Sequence, residues 1–215
     1  MTSNSDGYIQ NITIPIFESH SSFELEELFK LQLNYFQTDW FGSAPLAKTG
    51  FVLVLTPQHL MFAAECFEGP TCDRSYCLNE FRAGLWERDV AELFLKEDHS
   101  NRYQEFNLSP SGAWWSGLFD SHRKPSSSAF LEPTGVKVFA EAKKEHWRAA
   151  ISIPLSSLSV SFAFTSASKA NVSFIIGGNK RQYLSWSKIN AKEPDFHRVS
   201  DFEKMRRLTL CKRDL

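Results

Sequence analysis

The chain has 215 residues, 42% of them hydrophobic and 14% aromatic, which is enough to bury one substantial core as a single domain. Lys+Arg 24 against Asp+Glu 25 leaves a formal net charge of -1, so composition offers no basic footprint for a nucleic-acid partner. No stretch is long and apolar enough to span a bilayer. The polar start from Met1 to Tyr8 lacks the basic-then-apolar order of a secretory leader, and a cytoplasmic location is expected. Residues 1–10 read as a flexible tail and 11–215 as one β-rich domain. Ile12, Ile14 and Ile16 alternate with Thr13 and Pro15, predicting a first strand from Asn11 to Phe17. Phe23 to Tyr35 is ambiguous: Leu25, Leu28 and Leu31 form a helical stripe, whereas Leu31, Leu33 and Tyr35 alternate, which favours a strand in the second half. Phe51 to Thr56 is a compact apolar run, paired with Leu60 to Phe67 across Pro57-Gln58. Asp89 to Leu95 and Tyr103 to Leu108 both alternate, the second placing Tyr103, Glu105 and Asn107 on one face.

Ser109-Pro110-Ser111-Gly112 is a turn, after which Ala113 to Phe119 resumes as a strand. Trp114 and Trp115 are adjacent and so face opposite ways, one into the core and the other outward as a stacking candidate. Lys124 to Gly135, with Pro125, Pro133 and a serine run, reads as a loop. Val136 to Ala142 and Trp147 to Ile153 form a hairpin, followed by strands at Val172 to Gly178, Arg181 to Trp186 and Arg206 to Leu210. Many short strands between turn signals predict an all-β fold. Of four cysteines, Cys66, Cys72 and Cys77 crowd one segment and Cys211 stands apart. Reduced thiols are expected, with a bridge inside 66–77 as the alternative in an exported protein. Paired CxxC spacing is missing, and no EF-hand spacing links the scattered aspartates, so no metal site is expected. Asn11-Ile12-Thr13 and Asn171-Val172-Ser173 match the glycosylation sequon, which carries meaning only in a secreted chain.

Three stretches read together carry a resemblance. They are Gly84-Leu85-Trp86 followed by Asp89-Val90-Ala91-Glu92-Leu93-Phe94-Leu95; then Tyr103-Gln104-Glu105-Phe106-Asn107-Leu108-Ser109-Pro110-Ser111-Gly112-Ala113-Trp114; then Trp186-Ser187 with Pro194-Asp195-Phe196-His197 and Phe202. This pattern resembles bacterial DOMON-like domains related to family 9 carbohydrate-binding modules, over nearly the whole chain. The resemblance implies a two-sheet antiparallel β-sandwich, of jelly-roll or immunoglobulin-like type, with a sugar-binding loop end and no defined ligand. It also implies a pair of Trp residues around the sugar and Glu, Asn and Arg at the rim. On that basis the ligand-binding residues are expected to be Trp86, Glu92, Glu105, Asn107, Asn179, Arg181 and Trp186. Arg181 or a ligand hydroxyl would pair with Glu92, since a buried carboxylate is costly alone.

The expected function is therefore a non-catalytic carbohydrate-binding module for a mono- or oligosaccharide, with no cofactor. Structural readings compete at each position: Trp86 as a cap on the core, Glu105 and Asn107 on a solvated face, and Asp195 capping backbone N–H groups while His197 locks a loop rather than forming a catalytic dyad. Three other functions stand beside it. A haem-binding DOMON-type domain would draw axial ligands from His59, Met61 and Met205. A glycoside-active enzyme would need Glu92 and Glu105 about 5–9.5 Å apart. A scaffold would have no working pocket.

Overall fold

The computed structural model describes residues 13–210 except 21, 74 and 128–131. The expected tail, the start of the first strand at Asn11 and Ile12, and Cys211 lie outside the described residues. The elements run β1 (Ile14–Glu18), a 3-10 helix over Leu25–Lys30, β2 (Asn34–Tyr35), β3 (Thr49–Leu55), β4 (His59–Cys66) and a 3-10 turn over Leu85–Glu87. Then come β5 (Val90–Lys96), β6 (Tyr103–Leu108), β7 (Trp114–Ser121), β8 (Lys124–Pro125), β9 (Lys137–Lys143), β10 (His146–Pro154), β11 (Lys169–Ile176), β12 (Gln182–Ser185) and β13 (Glu203–Thr209).

These strands form one curled mixed sheet in the order β8-β7-β6-β5-β11-β13-β1-β3-β4-β10-β9, with β12 added on β11 and β2 on β3. The nearly all-β expectation holds, but an all-antiparallel pair of separate sheets does not. β1 runs parallel to both β13 and β3. β13 first pairs with β11 at Lys169↔Lys204 and Ala170↔Glu203, then leaves it for β1 from Ile14↔Met205 to Glu18↔Thr209. The last strand thus passes from one layer to the other and joins them. A parallel pair needs a long connection, and almost the whole chain lies between β1 and β13.

The sheet folds over so that its two halves share a core. Phe51, Leu53 and Phe62 meet Leu93, Phe106, Trp114 and Phe174 in one cluster, all of them essentially unexposed. Trp147 on β10 and Phe174 on β11 bring their ring centroids to 6.1 Å across the layers. Each such side chain contributes roughly 1.5–3 kcal/mol on burial. Both outer faces are apolar too, which explains why β3 reads as an unbroken apolar run rather than an alternating one. On the β3–β4 side, Val52, Val54 and Met61 are covered by Leu28, Leu31 and Leu33.

That cover corrects the reading of Phe23 to Tyr35. Its first half is the 3-10 helix, closed at its start by the Glu24 N–H donating to Glu27 Oε2 at 3.2 Å. The second half is a plug of buried leucines, and only Asn34 and Tyr35 pair as a strand. The stretch 124–135 begins with the two-residue β8 before its loop. The remaining strands fall within a few residues of their predicted positions. No helix among the described residues is long and apolar enough to cross a membrane.

Candidate functional site

Strand alternation sends Ala91, Leu93 and Leu95 of β5 into the shared core and Val90, Glu92 and Phe94 to the outer face. β6 does the same, with Phe106 and Leu108 inward and Tyr103, Glu105 and Asn107 outward. Across the ladder, Ser173, Glu92, Asn107 and Trp115 stand in one row, with Glu105 in the next beside Phe94 and Gly117. This face is the floor of a pocket of about 440 Å³, whose lining includes Trp86, Trp115, Phe119, Tyr183 and Phe196, with Glu92, Glu105, Arg123 and His197 as its polar members.

Each wall has a local cause. Gly84, at φ 86, adopts the left-handed conformation that glycine tolerates and starts the turn that carries Trp86. Leu85 anchors this turn in the outer cluster, while the Trp86 side chain stays 40% exposed, its ring 5.6 Å from that of Trp115 and nearly edge-on. Arg181 donates to the Trp86 carbonyl at 2.8 Å, which ties the turn to the start of β12. The buried Asp89 accepts from the Thr71 and Gly178 N–H groups and joins two further loops beneath it.

On the opposite side the tight turn after β7 presents Arg123. Its backbone N–H donates to the Tyr103 hydroxyl at 3.3 Å and its guanidinium Nε to Asp195 Oδ1 at 3.0 Å. His122 Nε2 bonds the other oxygen of Asp195 at 2.7 Å. The same Asp195 accepts the His197 N–H, and His197 Nδ1 meets the Tyr103 hydroxyl at 2.8 Å. Asp195 and His197 are therefore loop-forming groups, not a side-chain dyad.

The floor is electrostatically unusual. Burial pushes the Glu92 carboxyl up to about 7, offset in part by the Ser173 hydroxyl donating to its Oε2 at 2.8 Å and by the Arg123 charge. Burial also raises Glu105 well above the ordinary carboxylate range, and the neighbouring Glu92 charge adds to that; the Arg123 charge offsets only part of it. Burial, helped by the Arg123 charge, lowers His197 to about 4, so its imidazole is neutral at pH 7. Glu105 Oε2 and both amide atoms of Asn107 are buried with no hydrogen-bond partner, the former 3.9 Å from His197 Nδ1. An unmade bond in such a place costs about 1–3 kcal/mol and invites a ligand group or an ordered water.

The structure brings together Trp86, Glu92 and Glu105 on the pocket, with Asn107 wholly buried on the same face beside Glu92. Asn179 and Arg181 line a separate small groove with Thr71, Glu87 and Arg88, and it is Ser173, not Arg181, that bonds Glu92. Trp186 is turned the other way. It packs edge-on to Phe51 and Phe36 in the shared core and donates its indole N–H to the Thr13 carbonyl at 2.9 Å. The aromatic residue that β12 sends to the pocket is Tyr183, three positions earlier and on the opposite face. Of the adjacent pair, Trp114 is the core member, whereas Trp115, on the pocket face, is only 4% exposed rather than outward in solvent.

Arg123, Phe119, Tyr183 and Phe196 were missed as lining residues. Phe119 shares the outward face of β7 with Trp115, a period-two signal that was available. Arg123 had none, because its role depends on a partner 72 positions away. A broader groove of about 740 Å³ lies on the other layer, lined in part by His20, His59, Met61 and Phe139. Met205 is buried in the shared core, so the candidate haem ligands are not gathered in the aromatic pocket. Among the described residues no group of three or more His, Cys, Asp and Glu side chains is placed to hold a metal ion.

No family model matches the chain, and no curated protein matches it in sequence. Solved structures do match in shape. A candidate carbohydrate-binding protein from Bacteroides uniformis superposes with a TM-score of 0.70 at 17% identity, over 91% of this chain and 99% of that one. A family 9 carbohydrate-binding module from Caldicellulosiruptor kristjanssonii, in complex with cellotriose, gives 0.60 at 11% identity, over 94% and 97%. In complex with glucose it gives 0.59 at 11% identity, over 92% and 97%. The chain thus has the fold of family 9 carbohydrate-binding modules, as the motifs implied.

Proposed function

We propose that the chain binds a saccharide in the aromatic pocket above β5 and β6 and performs no chemistry on it. The observation that carries this reading is the Glu105 carboxyl, 3% exposed with one oxygen free of hydrogen bonds, on the floor of a pocket walled by Trp86 and Tyr183. A sugar ring offers what such a site lacks. Its C–H face packs on flat aromatic groups, and its hydroxyls supply donors and acceptors to the floor. The volume falls within the range of about 300–1,000 Å³ common to small-molecule sites. Sugar binding by similarly folded modules supports the same reading.

Binding without cleavage is favoured by where the carboxyls stand. Glu92 and Glu105 are on adjacent strands of one floor and approach a ligand from the same side. Glycoside hydrolysis uses carboxyls that flank the scissile bond. The test is titration of the chain with mono- and oligosaccharides, glucose and cellotriose included, read by tryptophan fluorescence and calorimetry. A saturable response that weakens about tenfold or more in Trp86→Ala is expected, since Trp86 is the exposed stacking group. An undiminished response in Trp86→Ala, or none to any sugar in the unaltered chain, would overturn the reading.

A further inference from the structure

We infer that the sugar selected by this pocket is an amino sugar, whose ammonium group sits against Glu92 and Glu105. The inference rests on the saccharide-binding reading and narrows its ligand class. Two carboxyls face the same pocket from neighbouring strands, and Glu105 Oε2 is buried without a hydrogen bond, 3.9 Å from the neutral His197 imidazole at Nδ1. The charged and titratable groups around them come from every adjoining element. β6 adds Tyr103, the turn after β7 adds His122 and Arg123, the 194–197 segment adds Asp195 and His197, and β12 adds Tyr183.

Of these, Arg123 is the guanidinium that lines the pocket, and it is held by Asp195 at 3.0 Å. The site is therefore short of positive charge. Beside a neutral hydroxyl the two carboxyls cannot both ionise away from water. An ammonium group replaces a hydroxyl with little change of shape, brings up to three donors, and supplies the missing charge. The aromatic walls favour a cation beside their ring faces. The upward displacement of both carboxyls is the same shortage seen from the protein's side: without a cation, the pair holds protons instead. An anionic sugar would meet repulsion.

The test is calorimetry of the full chain at about pH 6, where a primary amine remains protonated. The ligands are glucose, glucuronate, and two aminoglucoses with the amine on the ring or on the exocyclic carbon. At least one aminoglucose is expected to bind about tenfold or more tightly than glucose, and glucuronate more weakly than glucose. Repeating the titration in buffers of different protonation enthalpy is expected to show proton release, as the arriving ammonium displaces a held proton. Glu105→Gln is expected to shrink the preference for the amine to within about threefold. If that variant does not fold, the ligand comparison and proton count on the unaltered chain still decide. Glucose binding with no preference for either aminoglucose would overturn this inference and leave saccharide binding intact. Failure of every sugar would overturn both.

Discussion

Glu92 shows how burial rather than residue type sets the chemistry of the floor. It is 4% exposed and its Oε2 accepts a single hydroxyl, from Ser173. Its carboxyl rises from 4.5 unfolded to about 7 folded, so the folded state binds the proton more tightly. The stability this represents is full below about pH 4.5 and is lost as pH rises through 7. Glu92→Gln keeps an acceptor for Ser173 without the ionisation. Its stability relative to the unaltered chain should therefore climb by up to roughly 3 kcal/mol between about pH 4 and pH 8, measured by chemical denaturation. A pH-independent difference would mean that Glu92 is solvated. His197 works in the opposite sense: lowered to about 4, its contribution is present above 6.5 and lost as pH falls through 4. Much at this scale was legible beforehand. Period-two alternation places Glu105 and Asn107 on one face of β6, and they are found there; that Glu92 of β5 shares it is set by the register of the two strands. Arg123 was not legible, because no local pattern links it to Asp195.

The β7 strand and its flanking turns give the pocket its shape. Trp115 lies across Gly117 on the same face, so closely that a Cβ at Gly117 would fall 2.2 Å from the Trp115 ring. Glycine mid-strand weakens a sheet on its own, yet here it makes room for the indole that forms part of the wall. Gly117→Ala should displace Trp115, lower stability by about 1–3 kcal/mol and shift tryptophan emission. An unchanged melting temperature together with unchanged emission would show that the indole does not depend on that space. Element identity was readable where alternation and turn residues agreed, as at Ser109-Pro110-Ser111-Gly112 before β7. It failed over Leu25 to Tyr35, where one leucine pattern serves helix and strand alike and the outcome depends on packing over Val52, Val54 and Met61. It failed again at Trp186, where a short β12 left the strand's phase undetermined, and a one-residue change of phase exchanges the two faces.

At the scale of the whole molecule, β13 is the closure. It pairs antiparallel with β11 at its start and parallel with β1 along its length, and Met205 on it is buried in the core shared by both layers. A chain ending after Phe202 lacks this join and leaves β1 and β11 with open edges. It is expected to lose the cooperative thermal transition of the full chain, with calorimetry as the check; retention of a sharp transition would show that the layers cohere without β13. Composition, alternation and turn chemistry by themselves determined that this is a β protein and which face of β5 and β6 carries polar groups, and the resemblance of its motifs implied the fold of family 9 modules. These are properties of neighbours in the chain, set by the two-residue repeat of a strand. Tertiary structure alone decided that β1 runs parallel to both its partners, that Tyr183 and not Trp186 reaches the pocket, and that Arg123 is bound to Asp195. Each of these joins segments distant in sequence, and the energy that selects them comes from a shared core that exists only once the sheet has curled.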